Sequence, residues 1–192
     1  MKKVFLDLGA NTGQSVDYFR RIYESTYRLD ESVIDRLETN EFEIHCFEAN
    51  PNLYHKFAKK NVILHKCAVW IEDGEIDFSV RSSLGSTLYE SKTTGGSGTT
   101  ITVESIDISK FIKDNFDIED HLIVKMDIEG AEFKVIDKLA KDGTLEYIDK
   151  INVEYHAGKV PDFTVEDVNR CKDLLEDSGV DIIEWNVSKR RR

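Results

Sequence analysis

The segment Asp7-Leu8-Gly9-Ala10-Asn11-Thr12-Gly13 sets an acid directly before a loop with two glycines. Glycine lets backbone pass close to a ligand, and a helix starting there offers unpaired N–H donors. Asn11 and Gln14 occupy the second and third glycine positions of the dinucleotide fingerprint, and Gln14 stands where a phosphate loop carries lysine. The loop therefore suits a sulfonium amino acid better than a pyrophosphate. Further along, Glu48 closes an apolar run, where a carboxylate can accept both hydroxyls of a ribose. Asp127, Glu154 and His156 stand just after two other such runs.

These residues must be carried to one place by the elements around them. Residues 4–8 read as a buried strand, 9–13 as a tight loop, and 15–25 as a helix with Val16, Phe19, Ile22 and Tyr23 at helical spacing. An extra amphipathic helix is expected over 26–43, then a strand over 43–48. A helix follows over 52–60, with Pro51 in its first turn and Asn50 as its cap. One strand is expected over 62–70 and another over 76–80, after a turn at 72–75. Residues 82–100 are rich in Ser, Thr and Gly; too little chain flanks them for an interdomain linker, so a mobile loop near a site is expected. Beyond it come a short strand at 101–103, a helix at 109–116, a strand at 122–126 and a helix from 130 through 139. A strand at 148–155, a Thr164-capped helix to 177 and a strand at 180–185 complete the pattern. Strands that alternate with helices and carry continuous apolar runs indicate an α/β fold with a mostly parallel sheet covered on both faces. In such a sheet ligands bind beyond the carboxyl ends of the strands. The loop after Asp7, Glu48, Ala68-Val69, Asp127, Glu154 and His156 should meet there.

A chain of 192 residues with 40% hydrophobic and 33% charged residues supports one core, and a single domain over 1–192 is expected. The net charge of −11 argues against a nucleic-acid partner, which needs clustered Lys and Arg. The run Lys189-Arg190-Arg191-Arg192, within a basic tail over 186–192, reads as a solvated end. Three cysteines, Cys46, Cys67 and Cys171, make no paired spacing, so a reducing compartment is expected. The apolar stretch after Met1-Lys2-Lys3 is too short for a signal peptide and no run suits a bilayer, which points to a cytoplasmic protein without a membrane partner.

Taken in order, Asp7 through Ser15, Phe47-Glu48-Ala49-Asn50-Pro51, Cys67-Ala68-Val69-Trp70 and Val124-Lys125-Met126-Asp127-Ile128-Glu129-Gly130-Ala131-Glu132 resemble the FkbM family of methyltransferases. The serine-rich stretch at 82–86 also falls where the family has one, and the Asp-Ile-Glu-Gly-Ala-Glu segment is the most specific part. The resemblance implies a Rossmann-like class I methyltransferase fold, S-adenosylmethionine as donor, and transfer to a hydroxyl oxygen. By the same resemblance Gly9, Asn11 and Gly13 line the methionine end of the cofactor and Glu48 holds the ribose. Ala68 and Val69 lie beside the adenine, and Asp127 sits where cofactor and acceptor meet. Asp7, Ala10 and Ala49 are counted with the cofactor-binding set.

Transfer to oxygen also needs a place for the acceptor's proton. Asp127 and His156 are candidate bases, with Glu129 a third catalytic candidate. The alternatives for His156 and Glu129 are a loop histidine satisfied by its own backbone and an acid that steadies a helix N-terminus; Glu132 is read in the second way. No metal ligands are assigned, though Asp127, Glu154 and His156 could together suit divalent magnesium or manganese. His45, His55, His65 and His121 read as structural, and Trp70 and Trp185 as packing. The expected acceptor is a sugar or small-metabolite hydroxyl, with residues 82–100 as its cover. The oligomeric state is left open. Rival readings are a non-catalytic cofactor-binding or regulatory module and a nicotinamide-dependent oxidoreductase.

Overall fold

A computed structural model describes residues 1–23, 42–81, 85–89, 91 and 98–183. Six strands form a parallel sheet: β1 (Lys3–Leu8), β2 (Glu43–Phe47), β3 (Ile63–His65), β7 (His121–Met126), β8 (Lys150–Val153) and β9 (Asp181–Ile182), in the order β3-β2-β1-β7-β8-β9. A three-stranded sheet adds β4 (Ala68–Trp70), β5 (Gly74–Arg81) and β6 (Gly98–Asp107), in the order β4-β6-β5. The helices are α1 (Gln14–Tyr23), α2 (Ile108–Asn115), α3 (Glu132–Lys141) and α4 (Val165–Asp177).

Alternation along the central strands assigns each residue to one of two cores. Val4, Leu6 and Leu8 of β1 join Leu122, Val124 and Met126 of β7 beneath α2, α3 and α4, in a cluster that includes Ile112, Phe133, Ile136 and Leu175. Phe5 and Ile123 point the other way, into a smaller cluster with Val16 and Phe19 of α1, where Phe5 and Phe19 stack at 4.0 Å. The sheet is thus flanked by helices on both faces, as the α/β reading requires. By the same alternation Asp7 and Lys125, paired in register on adjacent strands, share the α1 face. The chain winds outward from β1 through β2 to β3 and then jumps to β7 on the other side of β1. A crevice opens at that reversal.

Several boundaries differ from the sequence expectation. The run 62–70 is two strands: the chain leaves the large sheet after His65, and Ala68–Trp70 pairs with β6 instead. The polar pair His65-Lys66 interrupts the apolar run at that point, but a two-residue interruption alone does not separate a break between sheets from a strand with one polar stretch. The strand expected at 101–103 spans ten residues, because residues 104–107 extend it at one end against β5 and β4, and Gly98, Thr99 and Thr100 continue the ladder opposite β5 at the other. Those residues look like loop by polarity, yet the threonines are β-branched and suit a strand. The helix expected at 52–60 is a 3-10 helix over Pro51–Phe57, with the Asn50 side chain accepting from the Asn52 amide at 3.0 Å. The last two strands are shorter than expected, and His121 opens β7, one residue before the expected start. The helix expected at 26–43 lies outside the described residues up to 41, and its final residue opens β2. Trp185 and the 186–192 tail also lie outside them. All three cysteines are buried free thiols, and burial pushes those of Cys67 and Cys171 up to about 12. Among the described residues no helix is long and apolar enough to cross a membrane.

Candidate active site

The glycine loop is held at the crevice from three sides. The Gly9 and Ala10 amides both donate to the Phe47 carbonyl, at 3.1 and 2.9 Å, which ties the loop to the end of β2. The Asp127 amide donates to the Leu8 carbonyl at 3.0 Å, which ties the end of β7 to the end of β1. Gly9 takes a left-handed φ of 79° and Asn11 one of 51°, so the chain turns sharply into α1. The carboxylate of Glu48 then fixes both neighbouring loops, accepting from the Asn11 and Asn50 amides at 2.7 Å each.

Around these residues lies a cavity of about 590 Å³, within the size range of cofactor pockets. Gly9, Asn11, Glu48, Ala49, Ala68, Val69, Asp127 and Glu129 of the expected set line it. Leu53, Phe78 and Leu88 give it an apolar wall, and Arg81 adds a cationic side chain. Asp7, Ala10, Gly13 and His156 do not line it. Ala10 is buried in the α1 core, and Gly13 abuts Lys60 and Phe57. Part of the 82–100 segment closes the cavity, with Gly85, Ser86 and Leu88 in its wall. Thr87, fully buried, pairs with Ser79 in an isolated bridge and donates its hydroxyl to the Glu129 carbonyl at 2.7 Å. Residues 82–84, 90 and 92–97 lie outside the described residues.

Glu48 is 7% exposed, and burial pushes its carboxyl up to about 7 against the lowering effect of the two amides. Each of its oxygens receives one amide, and a carboxylate oxygen has room for a second donor. Two hydroxyls side by side, as on a ribose, match that remaining capacity. The accepting oxygens of Glu48 and the adjoining apolar wall therefore fit an adenosine group.

Asp7 works from behind the cavity. It is fully buried, accepts from the Ser15 hydroxyl, and lies 3.3 Å from Lys125 Nζ. That ammonium donates to the Gly9 carbonyl at 2.9 Å and lies 3.4 Å from Asp127. Burial opposes the charge on Lys125, but Asp7 and Asp127 outweigh it and hold its proton more tightly than usual. Sequence reasoning gave Lys125 no role. The available signal was a lysine inside a central strand of a covered sheet, where unpaired lysine almost never occurs.

His156 is 1% exposed, and its surroundings are acidic. Glu132, also fully buried, accepts from the His156 amide at 2.7 Å and from the Gly130 amide at 2.8 Å, and its Oε1 lies 3.1 Å from His156 Nδ1. On the far side of the ring, Nε2 stands 3.2 Å from Glu129, 3.6 Å from Asp127 and 3.6 Å from Glu154. Burial lowers the affinity of His156 for a proton, yet Glu132, Glu129 and Asp127 together raise it above the ordinary value. Glu132, expected only to steady its helix, instead ties the turn before α3 to the segment after β8. Glu132→Gln should cost about 1–3 kcal/mol, because its amide group must face a buried donor that the carboxylate satisfied. A urea denaturation midpoint checks this; an unchanged midpoint refutes the tie.

Asp127, Glu129 and His156 each offer one ligand atom, and all three atoms lie within 4.8 Å of one another. Glu129 thus takes the place that sequence reasoning gave to Glu154 in a three-residue set. A family model described as the methyltransferase FkbM domain matches residues 7–182, from the acid before the glycine loop to the end of β9. No curated protein and no solved structure matches the chain.

Proposed function

Because this chain belongs to the FkbM methyltransferase family, we propose that it takes its methyl group from S-adenosylmethionine and passes it to a hydroxyl oxygen of a saccharide or small metabolite. One observation carries the reading: Gly9, Asn11, Glu48 and Asp127, from three different strand ends, line a single cavity at the point where strand order reverses. When bound, the cofactor supplies an electrophilic methyl on a sulfonium. Glu48 accepts the ribose hydroxyls, and Gly9 and Asn11 leave room for the amino-acid end. Ala68, Val69 and Phe78 meet the base. Asp127 and Glu129, the carboxylates on the β7 side, face the acceptor and draw on its hydroxyl proton. His156 lies behind them, its ring fixed by Glu132. A net charge of −11 favours an uncharged acceptor over a polyanion, and a cytoplasmic setting suits three buried free thiols.

The test is calorimetry with S-adenosylhomocysteine, with NAD as the competitor. Tight binding of the first and none of the second is expected; the reverse, or neither, overturns the reading. Glu48→Ala should weaken binding by about 10–100-fold, as expected when the polar group that receives two ligand hydroxyls is lost.

The pH dependence follows from the raised Glu48 carboxyl. Its folded value, about 7, lies above the unfolded one, so the folded state holds the extra proton. The stability tied to that proton is full at acid pH and is lost as pH rises through about 7. Ribose hydroxyls donate best to the ionised form, so cofactor binding releases a proton and has the opposite pH trend. With only about one molecule in ten ionised at pH 6, binding should be about tenfold tighter at pH 8. Glu48→Gln should remove that dependence; a flat wild-type profile counts against hydroxyl binding at Glu48.

A further inference from the structure

We infer that Asp127, Glu129 and the Nε2 atom of His156 form a binding site for one divalent cation of the manganese class, at the cavity wall on the β7 side. His156 supplies the independent observation. Its Nε2 is buried and has no hydrogen-bond partner, although three carboxylates surround it. A ring nitrogen in that state costs free energy unless something occupies the point where the oxygens converge.

The opposite edge of the ring shows which atom is meant to bind. Glu132 lies against Nδ1 and takes the His156 amide as well, so the imidazole is fixed in both position and tilt. A carboxylate on one ring nitrogen, with the other aimed at a cluster of ligands, is the usual support of a metal-bound histidine. Glu132 is in turn held by the Gly130 amide, so the support is rigid.

Separations agree with a coordination shell. Neighbouring ligands of an octahedral ion with bonds of about 2.1 Å lie about 3.0 Å apart. His156 Nε2 is 3.2 Å from Glu129 and 3.6 Å from Asp127 Oδ1, while the other Asp127 oxygen lies 3.4 Å from Lys125. Glu129 adopts a left-handed backbone, φ 56°, which is costly for a residue with a side chain and sets its direction at this turn. Thr87 secures that conformation from outside by bonding the Glu129 carbonyl. Two carboxylates and one imidazole form a mostly oxygen shell with one nitrogen. That set suits manganese better than zinc, which prefers more nitrogen or sulfur.

Asp127 and Glu129 also line the cavity, so a cation held here would present open positions to an oxygen ligand inside it. Resting on the methyltransferase reading, that ligand is the acceptor's hydroxyl, whose acidity a divalent cation raises.

The protein, freed of metal by chelation, is titrated with divalent manganese while the spectrum of the free ion is followed by electron paramagnetic resonance. One equivalent should bind. Glu129→Gln and Asp127→Asn, both at partly exposed positions that leave the core intact, should each weaken it at least about tenfold. His156→Gln should do the same if it folds, and melting curves identify any variant that does not. No binding at millimolar manganese, or equal binding by wild type and both carboxylate variants, overturns the inference. Calorimetry with S-adenosylhomocysteine on the same samples separates the two ideas. Manganese binding without cofactor binding leaves the cation site standing and fells the cofactor reading; the converse does the opposite.

Discussion

Gly9→Ala is expected to weaken cofactor binding by about 100-fold, or about 2.7 kcal/mol, and to lower thermal stability together with it. A Cβ at Gly9 would lie 2.0 Å from the Asp127 carbonyl oxygen and 2.9 Å from its carbon. Both are backbone atoms, so no rotamer relieves the overlap. The turn also needs φ 79°, which costs any other residue about 1–2 kcal/mol. Restoring contact distance requires β1 and β7 to part by about 1 Å at their carboxyl ends, a shift of the size that disables a positioned site. Two hydrogen bonds span the gap and resist the parting: the Asp127 amide to the Leu8 carbonyl and Lys125 to the Gly9 carbonyl. Since Gly9 and Asp127 both line the cavity, its two walls are displaced together. Gly13→Ala is the control. Its Cβ meets only side chains, Lys60 at 2.8 Å and the Phe57 ring at 3.1 Å, away from the cavity wall, so it should pay the backbone strain of φ 72° and a local side-chain shift without parting β1 from β7. Calorimetry with S-adenosylhomocysteine and a melting curve on each variant check the pair; equal losses would show that the close approach at Gly9 has no special importance.

The sequence legible in this way was the part whose chemistry is local. Apolar runs ended by a glycine loop at 9–13, by Glu48 and by Asp127 gave β1, β2 and β7 and the residues that leave them. A parallel sheet requires those ends to lie on one side. Single-residue alternation within buried strands was harder to see. Lys125 occupies the one position of β7 that faces Asp7, and only the register between two strands far apart in sequence reveals the pair. Glu132 was misread for a related reason. An acid in the first turn of a helix is ordinarily solvated and eases the helix dipole. Here the helix start is buried under the segment after β8, which turns the same acid into a fixed support for His156. The second sheet was hidden because 62–70 is interrupted only by His65-Lys66, too short a break to announce a change of sheet, and 98–100 has no excess of apolarity. Boundaries of that kind are decided by which partner strand is near.

Lys125→Met should destabilise the fold by about 3–5 kcal/mol, the cost of removing one member of a buried ion pair. Asp7 has no exposed surface, and its Oδ1 has no hydrogen bond; apart from the Ser15 hydroxyl on the other oxygen, Lys125 alone among the described residues is placed to balance its charge. The methionine chain replaces the lysine stem, so packing is retained and the loss isolates the charge. At about 2–4 °C per kcal/mol for a chain of this size, the melting point should fall by about 10 °C. Adding Asp7→Asn to the same chain removes the stranded charge and should restore most of that stability, because replacing both members of a buried pair is far cheaper than removing one. The double variant should nevertheless bind S-adenosylhomocysteine more weakly than wild type. It still lacks the ammonium that ties the Gly9 carbonyl to the end of β7. Recovery of stability without recovery of binding would assign Lys125 two separable tasks, neutralising Asp7 and aligning the glycine loop. Full recovery of both would reduce it to the first, and no loss in the single variant would mean that the buried pair is not formed.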